Sequence, residues 1–179
     1  MKIPYLERAL FVVGPRNVGK STALRSMYLD RRLGTDGAIP PSTKSRLQET
    51  IHLSNERKLY MRLTSPHEAN ETTDEFLTKT LNKMGSGRWC YAGPFQPNAF
   101  KKMPDVITSV DSFVRKFSPE RTRVVLLYPN HRGQELESFL PGRDLLSELH
   151  NIPSVEVVTI DTRQKGKNGL ILSDFFDFT

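Results

Sequence analysis

The stretch RALFVVGPRNVGKSTALRSMYLDRRL, residues 8–33, decides how the rest of the chain is read. Ala9 to Val13 form an apolar run that reads as a strand. GPRNVGKS follows and fits the pattern G-x-x-x-x-G-K-[ST], with Gly14, Gly19, Lys20 and Ser21 in the fixed places. Beyond it Leu24, Met27 and Tyr28 recur at helical spacing, and Gly34 stands where a helix C-terminus favours glycine.

Strand, glycine-rich loop and helix in this order are the setting of a phosphate-binding loop. The glycines allow a tight turn and let backbone approach anionic oxygens without an intervening side chain. Loop amides and the first N–H groups of the helix then face the phosphates. Lys20 can reach the β- and γ-phosphates, and the Ser21 hydroxyl can ligate Mg²⁺.

The 179 residues suit one domain, 1–179, with a core of its own, and 37% hydrophobic with 26% charged residues is a globular composition. No apolar run approaches the roughly 18 residues that a membrane span requires. MKIPYLERALFVV leads directly into the glycine loop and carries no small-residue cleavage site, so it reads as a strand. The net charge is +6, but Lys and Arg are spread along the chain, which argues against nucleic acid as a partner. A single cysteine, Cys90, excludes an internal disulfide and suits a cytoplasmic protein; it falls in an apolar run and reads as core. The four histidines show no metal-ligand spacing.

Residues 34–49 are polar and broken by glycine and proline, a long loop. Residues 50–53 and 58–63 read as an antiparallel hairpin, followed by a loop over 64–71. Thr72 and Glu75 form a capping box for a helix with Phe76, Leu77, Leu81 and Met84 as its stripe and Gly85 at its end. A strand over 88–92 is expected to close at Gly93–Pro94. After a loop, Pro104 opens a helix through Val106, Val110, Phe113, Val114 and Phe117. RVVLLY, 123–128, has the fully apolar character of a strand buried in a parallel sheet. Helical segments are expected over 135–140 and 141–150, a strand over 155–160, a basic loop over 161–169, and an apolar helix or docked tail at the end. The alternation predicts an α/β fold: a mostly parallel six-stranded sheet with one antiparallel hairpin strand and helices on both faces. Ligands of such sheets bind at the carboxyl ends of the strands, where the glycine loop lies.

This order resembles the small-GTPase-like domains of the P-loop NTPases, the class that includes translation-factor GTP-binding domains. The resemblance covers essentially the whole chain by element order and is specific at the glycine loop. It implies a three-layer α/β/α P-loop NTPase fold, GTP (or ATP) with Mg²⁺, a γ-phosphate-dependent switch with slow or partner-dependent hydrolysis, and a protein partner. The implied nucleotide contacts are Gly14, Pro15, Arg16, Asn17, Val18, Gly19, Lys20, Ser21 and Thr22, with Asn130 at the base. Ser21 and Thr43, in PPSTKSR, are the implied metal ligands, with Ser42 beside Thr43. Lys20 and His67 are the implied catalytic groups, with Glu68 a second water-positioning candidate.

The chain departs from the family at two motifs. In the family's Asp-x-x-Gly, Leu63 takes the place of the aspartate and Pro66 that of the glycine; the first change removes a carboxylate, the second an N–H donor. In Asn-Lys-x-Asp, PNHRG keeps Asn130 but has His131 for lysine and Gly133 for aspartate. Thr162 and Lys165 are candidates for the last base loop. Two other readings follow. One is a catalytically inactive binding subunit, docking through Phe175, Phe176 and Phe178. The other is a small P-loop kinase or ATPase with Arg132 and Arg143 on a lid.

Overall fold

The computed structural model describes residues 3–41, 50–163 and 168–178. The described residues form six strands and five α-helices. The strands are β1 (Tyr5–Val13), β2 (Thr50–His52), β3 (Arg57–Met61), β4 (Arg88–Phe95), β5 (Arg121–Leu127) and β6 (Val155–Ile160). The helices are α1 (Lys20–Ser26), α2 (Thr73–Met84), α3 (Val106–Phe117), α4 (Leu145–His150) and α5 (Asn168–Asp174). The strands lie in the order β2-β3-β4-β1-β5-β6. Only the β2–β3 pair is antiparallel. The expected α/β class, strand number and hairpin are all present. None of the helices is long and apolar enough to cross a membrane.

Alternation along β1 places one core on each face of the sheet. Phe11 and Val13 join Phe76, Phe113 and Leu149, so α2, α3 and α4 cover one face. Leu10 and Val12 join Leu24, Met27, Leu172 and Phe176, so α1 and α5 cover the other. The capping box of α2 forms as expected, with Thr72 and Glu75 exchanging hydrogen bonds. Cys90 is buried, and that burial pushes its thiol up to about 11, in keeping with a core role.

Several boundaries differ from the sequence expectation. The helix after the glycine loop stops at Ser26 and gives way to two short 3-10 turns, Met27–Leu29 and Arg31–Leu33. Asp30 separates the two turns: its backbone is extended, and its buried carboxylate accepts from Arg32 Nε and Nη2 and from Ser173 Oγ at 2.7 Å. The Arg32 guanidinium holds this carboxyl down at about 2. The segment 135–140 makes only a 3-10 turn, Leu136–Ser138, and the last helix begins at Asn168, inside the expected basic loop.

β4 runs through Gly93 and Pro94 to Phe95. Phe95 C=O accepts from Gly14 N–H, so the backbone groups of Phe95 face β1 and the nitrogen of Pro94 faces the β3 side. Arg62 N–H still donates to Ala92 O at 2.8 Å, and the next ladder bond, to Arg62 O, would need an N–H at Pro94, so the β3–β4 pairing ends there.

The C-terminal segment is fastened to the sheet. Phe175 and Phe176 are buried, Arg8 donates to Phe175 O, and Arg57 donates to Phe176 O at 2.8 Å. The aromatic tail therefore covers its own core. Gly169 lets α5 approach α1, because a Cβ there would lie 2.0 Å from Ser26 O. Gly169→Ala is expected to lower stability by about 1–3 kcal/mol, the usual cost of forcing atoms into a filled contact. Urea denaturation checks this, and an unchanged midpoint would contradict the packing described.

Candidate functional site

β1 delivers the glycine loop to the carboxyl edge of the sheet. Gly14 N–H donates to Phe95 O, fixing the loop's first residue to the end of β4. Asn17 has φ 61° and Gly19 φ 97°, so the chain turns twice through the left-handed region before α1. Such a φ suits glycine and is tolerated by asparagine. The backbone N–H groups of Gly19, Lys20, Ser21 and Thr22 find no backbone acceptor among the described residues. They are the donors that a helix start leaves open.

A cavity of about 600 Å³ opens over this loop, within the range of small-molecule sites. Asn17, Val18, Gly19, Lys20, Ser21 and Thr22 line it, together with Ala23 and Ser26 of α1, Glu68, His131, Thr162 and Asn168. Lys20 is 5 % exposed and folds back so that Nζ donates to Pro15 O at 2.8 Å. Burial pushes its ammonium down to about 8, and Arg16 acts in the same direction, while Glu68 opposes both. Arg16 itself is exposed. Ser21 Oγ donates to Leu63 O at 2.8 Å, which ties the start of α1 to the chain leaving β3.

The residues expected at the second switch separate. Leu63 is half-buried and its side chain packs against the core that α1 and α5 cover, so only its carbonyl meets Ser21. His67 is fully buried. Its Nε2 lies 2.8 Å from Pro104 O and Nδ1 lies 3.5 Å from Gln96 N. The first contact requires Nε2–H and the second leaves Nδ1 as acceptor, so both nitrogens are engaged within the protein. Burial pushes the imidazole down to about 4. Glu68, not His67, faces the cavity.

Asn130 is buried in its own turn. Its Nδ2 donates to Leu127 O and Gln134 Oε1, and its Oδ1 accepts from Arg132 N–H. The neighbouring His131 lines the cavity with Thr162. Arg143 pairs with Glu148 and Asp105 on the surface, and Arg132 is exposed; neither lines the cavity. Ser42, Thr43 and Lys165 lie outside the described residues. Asn168 and Ser26 reach the site without any motif to announce them. They do so because α5 packs on α1, a contact between segments far apart in the chain.

The described residues contain no group of three or more His, Cys, Asp or Glu side chains able to hold a metal ion. The cavity wall carries one carboxylate, Glu68, beside the hydroxyls of Ser21, Thr22, Ser26 and Thr162 and the amide oxygens of Asn17 and Asn168. Hard oxygen donors fit Mg²⁺, which is commonly held by one or two protein groups together with substrate phosphates. No protein-family model, curated protein or solved structure matches this chain.

Proposed function

We propose that the chain is a nucleoside-triphosphate-binding protein of the P-loop, three-layer α/β/α kind, working as a Mg²⁺-dependent switch of GTPase-like type. The observation that carries this reading is the glycine loop itself: the full G-x-x-x-x-G-K-[ST] pattern at the mouth of a cavity, with Lys20 buried and open N–H donors beside it. A buried ammonium is costly until an anion approaches, and a polyphosphate supplies one. Lys20 would leave Pro15 O for the phosphates, and Ser21 would turn its lone pairs to the metal. Magnesium would neutralise phosphate charge when bound.

Hydrolysis in this reading is slow without a partner. Both nitrogens of His67 are already engaged, so His67 holds no nitrogen ready for a water. Leu63, the residue before the loop over 64–71, accepts from Ser21 through its carbonyl, and that loop is the segment that would follow the γ-phosphate. In this reading the base would lie toward His131, Thr162 and Asn168, which line the cavity, with guanine the expected choice.

Titration of fluorescent GTP and ATP derivatives, combined with phosphate-release assays, tests the proposal. Saturable, Mg²⁺-dependent binding with turnover well below 1 s⁻¹ is expected, as for intrinsic switch hydrolysis. Binding of neither nucleotide would overturn it. Fast transfer to a small acceptor would replace it with the kinase reading.

Lys20 offers a second readout. Its ammonium is held at about 8 in the free protein, and a neighbouring phosphate must raise it. Triphosphate binding between about pH 8 and 10 is therefore expected to take up a proton. Calorimetry in buffers of different ionisation enthalpy would show it, and a proton count of zero at pH 9 would contradict contact between Lys20 and the phosphates.

A further inference from the structure

We infer that Glu68 is the protein carboxylate of a divalent-cation site completed by Ser21 and the oxygens of a bound triphosphate. The inference rests on the nucleotide reading above. It places the cation-facing carboxylate in the loop after β3, and not at the strand end, where Leu63 packs into the core.

The backbone of Glu68 is held from several sides. Its N–H donates to Ser65 Oγ at 3.1 Å, and its carbonyl accepts from Lys101 Nζ at 3.2 Å. The turn around it closes through Ala69 N–H to Ser65 O (3.0 Å) and Glu71 N–H to Pro66 O (3.1 Å). His67, next in the chain, is anchored to Pro104 O. Against this fixed backbone, the Glu68 carboxylate makes no hydrogen bond or ion pair among the described residues. The nearby buried carboxylate Glu71, by contrast, is paired with Arg62 and Lys79.

The Glu68 carboxylate has no hydrogen bond or salt bridge among the described residues, and the charge of the neighbouring Lys20 offsets it only in part, so it has one of two effects on a polyphosphate. It repels the anion, or a cation sits between them. Ser21 and Glu68 line the same cavity and are both hard oxygen donors. Mg²⁺ takes such a pair readily, with phosphate oxygens and waters filling its remaining positions. The carboxylate thus makes triphosphate binding conditional on the cation.

The two effects separate by sign in Glu68→Gln, which preserves size and removes charge. Binding of a non-hydrolysable triphosphate analogue is measured with EDTA and with Mn²⁺, and bound Mn²⁺ is followed by electron paramagnetic resonance. In EDTA the variant is expected to bind the analogue more tightly than the native chain, because repulsion is gone. With the analogue present, its Mn²⁺ affinity is expected to fall by about tenfold or more. Thermal unfolding confirms that the variant is folded. If the native chain binds the analogue and Mn²⁺ affinity is unchanged in the variant, the Glu68 site is overturned while the nucleotide reading stands. If the native chain binds no analogue in either condition, both are overturned.

Discussion

Lys20→Met is expected to weaken triphosphate binding by roughly a hundredfold or more while leaving the free protein as stable as before or more so. The first effect follows from removing the buried cation that would face the phosphates of the proposed nucleotide, a truncation that commonly costs about 2–5 kcal/mol. The second follows from burial. Lys20 Nζ has one protein acceptor, Pro15 O, and its ammonium is pushed from its ordinary 10.5 down to about 8. A folded-state value below the unfolded one means that the charged form opposes folding. The penalty is fully present below about pH 8 and fades as pH rises toward 10.5. Its upper size is about 3 kcal/mol, partly offset in the variant by the lost hydrogen bond. Denaturant unfolding of both proteins at pH 7, beside nucleotide titration, checks the pair of effects. A variant that is clearly less stable, or one that binds as the native chain does, would contradict the role given to Lys20.

His67→Ala is expected to cost about 3 kcal/mol of stability and to remove a pH dependence that the native chain possesses. The imidazole fills a fully buried position against Phe95 and joins Pro104 O to Gln96 N. Its loss leaves a cavity and unpaired buried backbone groups. The ring is neutral in the fold, with its value pushed from 6.5 down to about 4. The unfolded chain therefore takes up a proton first as pH falls. The stability contributed is fully present above about 6.5 and is lost as pH drops toward 4. Between pH 7.5 and 5 the native protein is expected to lose about 2 kcal/mol through this group. Urea midpoints at the two pH values, for native and variant, isolate the contribution of His67 from the other histidines. An equal acid loss in both proteins would contradict it.

The strand, turn and helix start around the glycine loop were legible because their signals are local. The capping box at Thr72–Glu75 and the stripe from Val106 to Phe117 were legible for the same reason. What the sequence concealed depends on distant partners. No motif marks Glu7, which is buried where the β1–β4 register slips between Leu6 and Arg8. There its two carboxylate oxygens accept from Arg57 and Arg88. Asp30 divides the two 3-10 turns after α1, with its carboxylate held by Arg32 and by Ser173, a residue far away in the chain. The family position of His67 implies a group near water. The fold places it under the carboxyl end of β4, because β4 stands between β1 and β3 in the sheet. Strand order is set by which faces pack together, and a one-dimensional pattern of apolar residues does not specify it.

The most direct test of the proposed nucleotide site is thermal unfolding of the native chain and of Lys20→Met with GTP, ATP and their diphosphates, with and without Mg²⁺. A ligand at about a hundred times its dissociation constant stabilises a fold by about 2.7 kcal/mol, or roughly 5–10 °C for a chain of this size. The expected result is a rise of that order for the native chain with a triphosphate and Mg²⁺, and none for Lys20→Met. No rise with any nucleotide, in a native sample that unfolds cooperatively, would contradict the reading of the glycine loop as a triphosphate site.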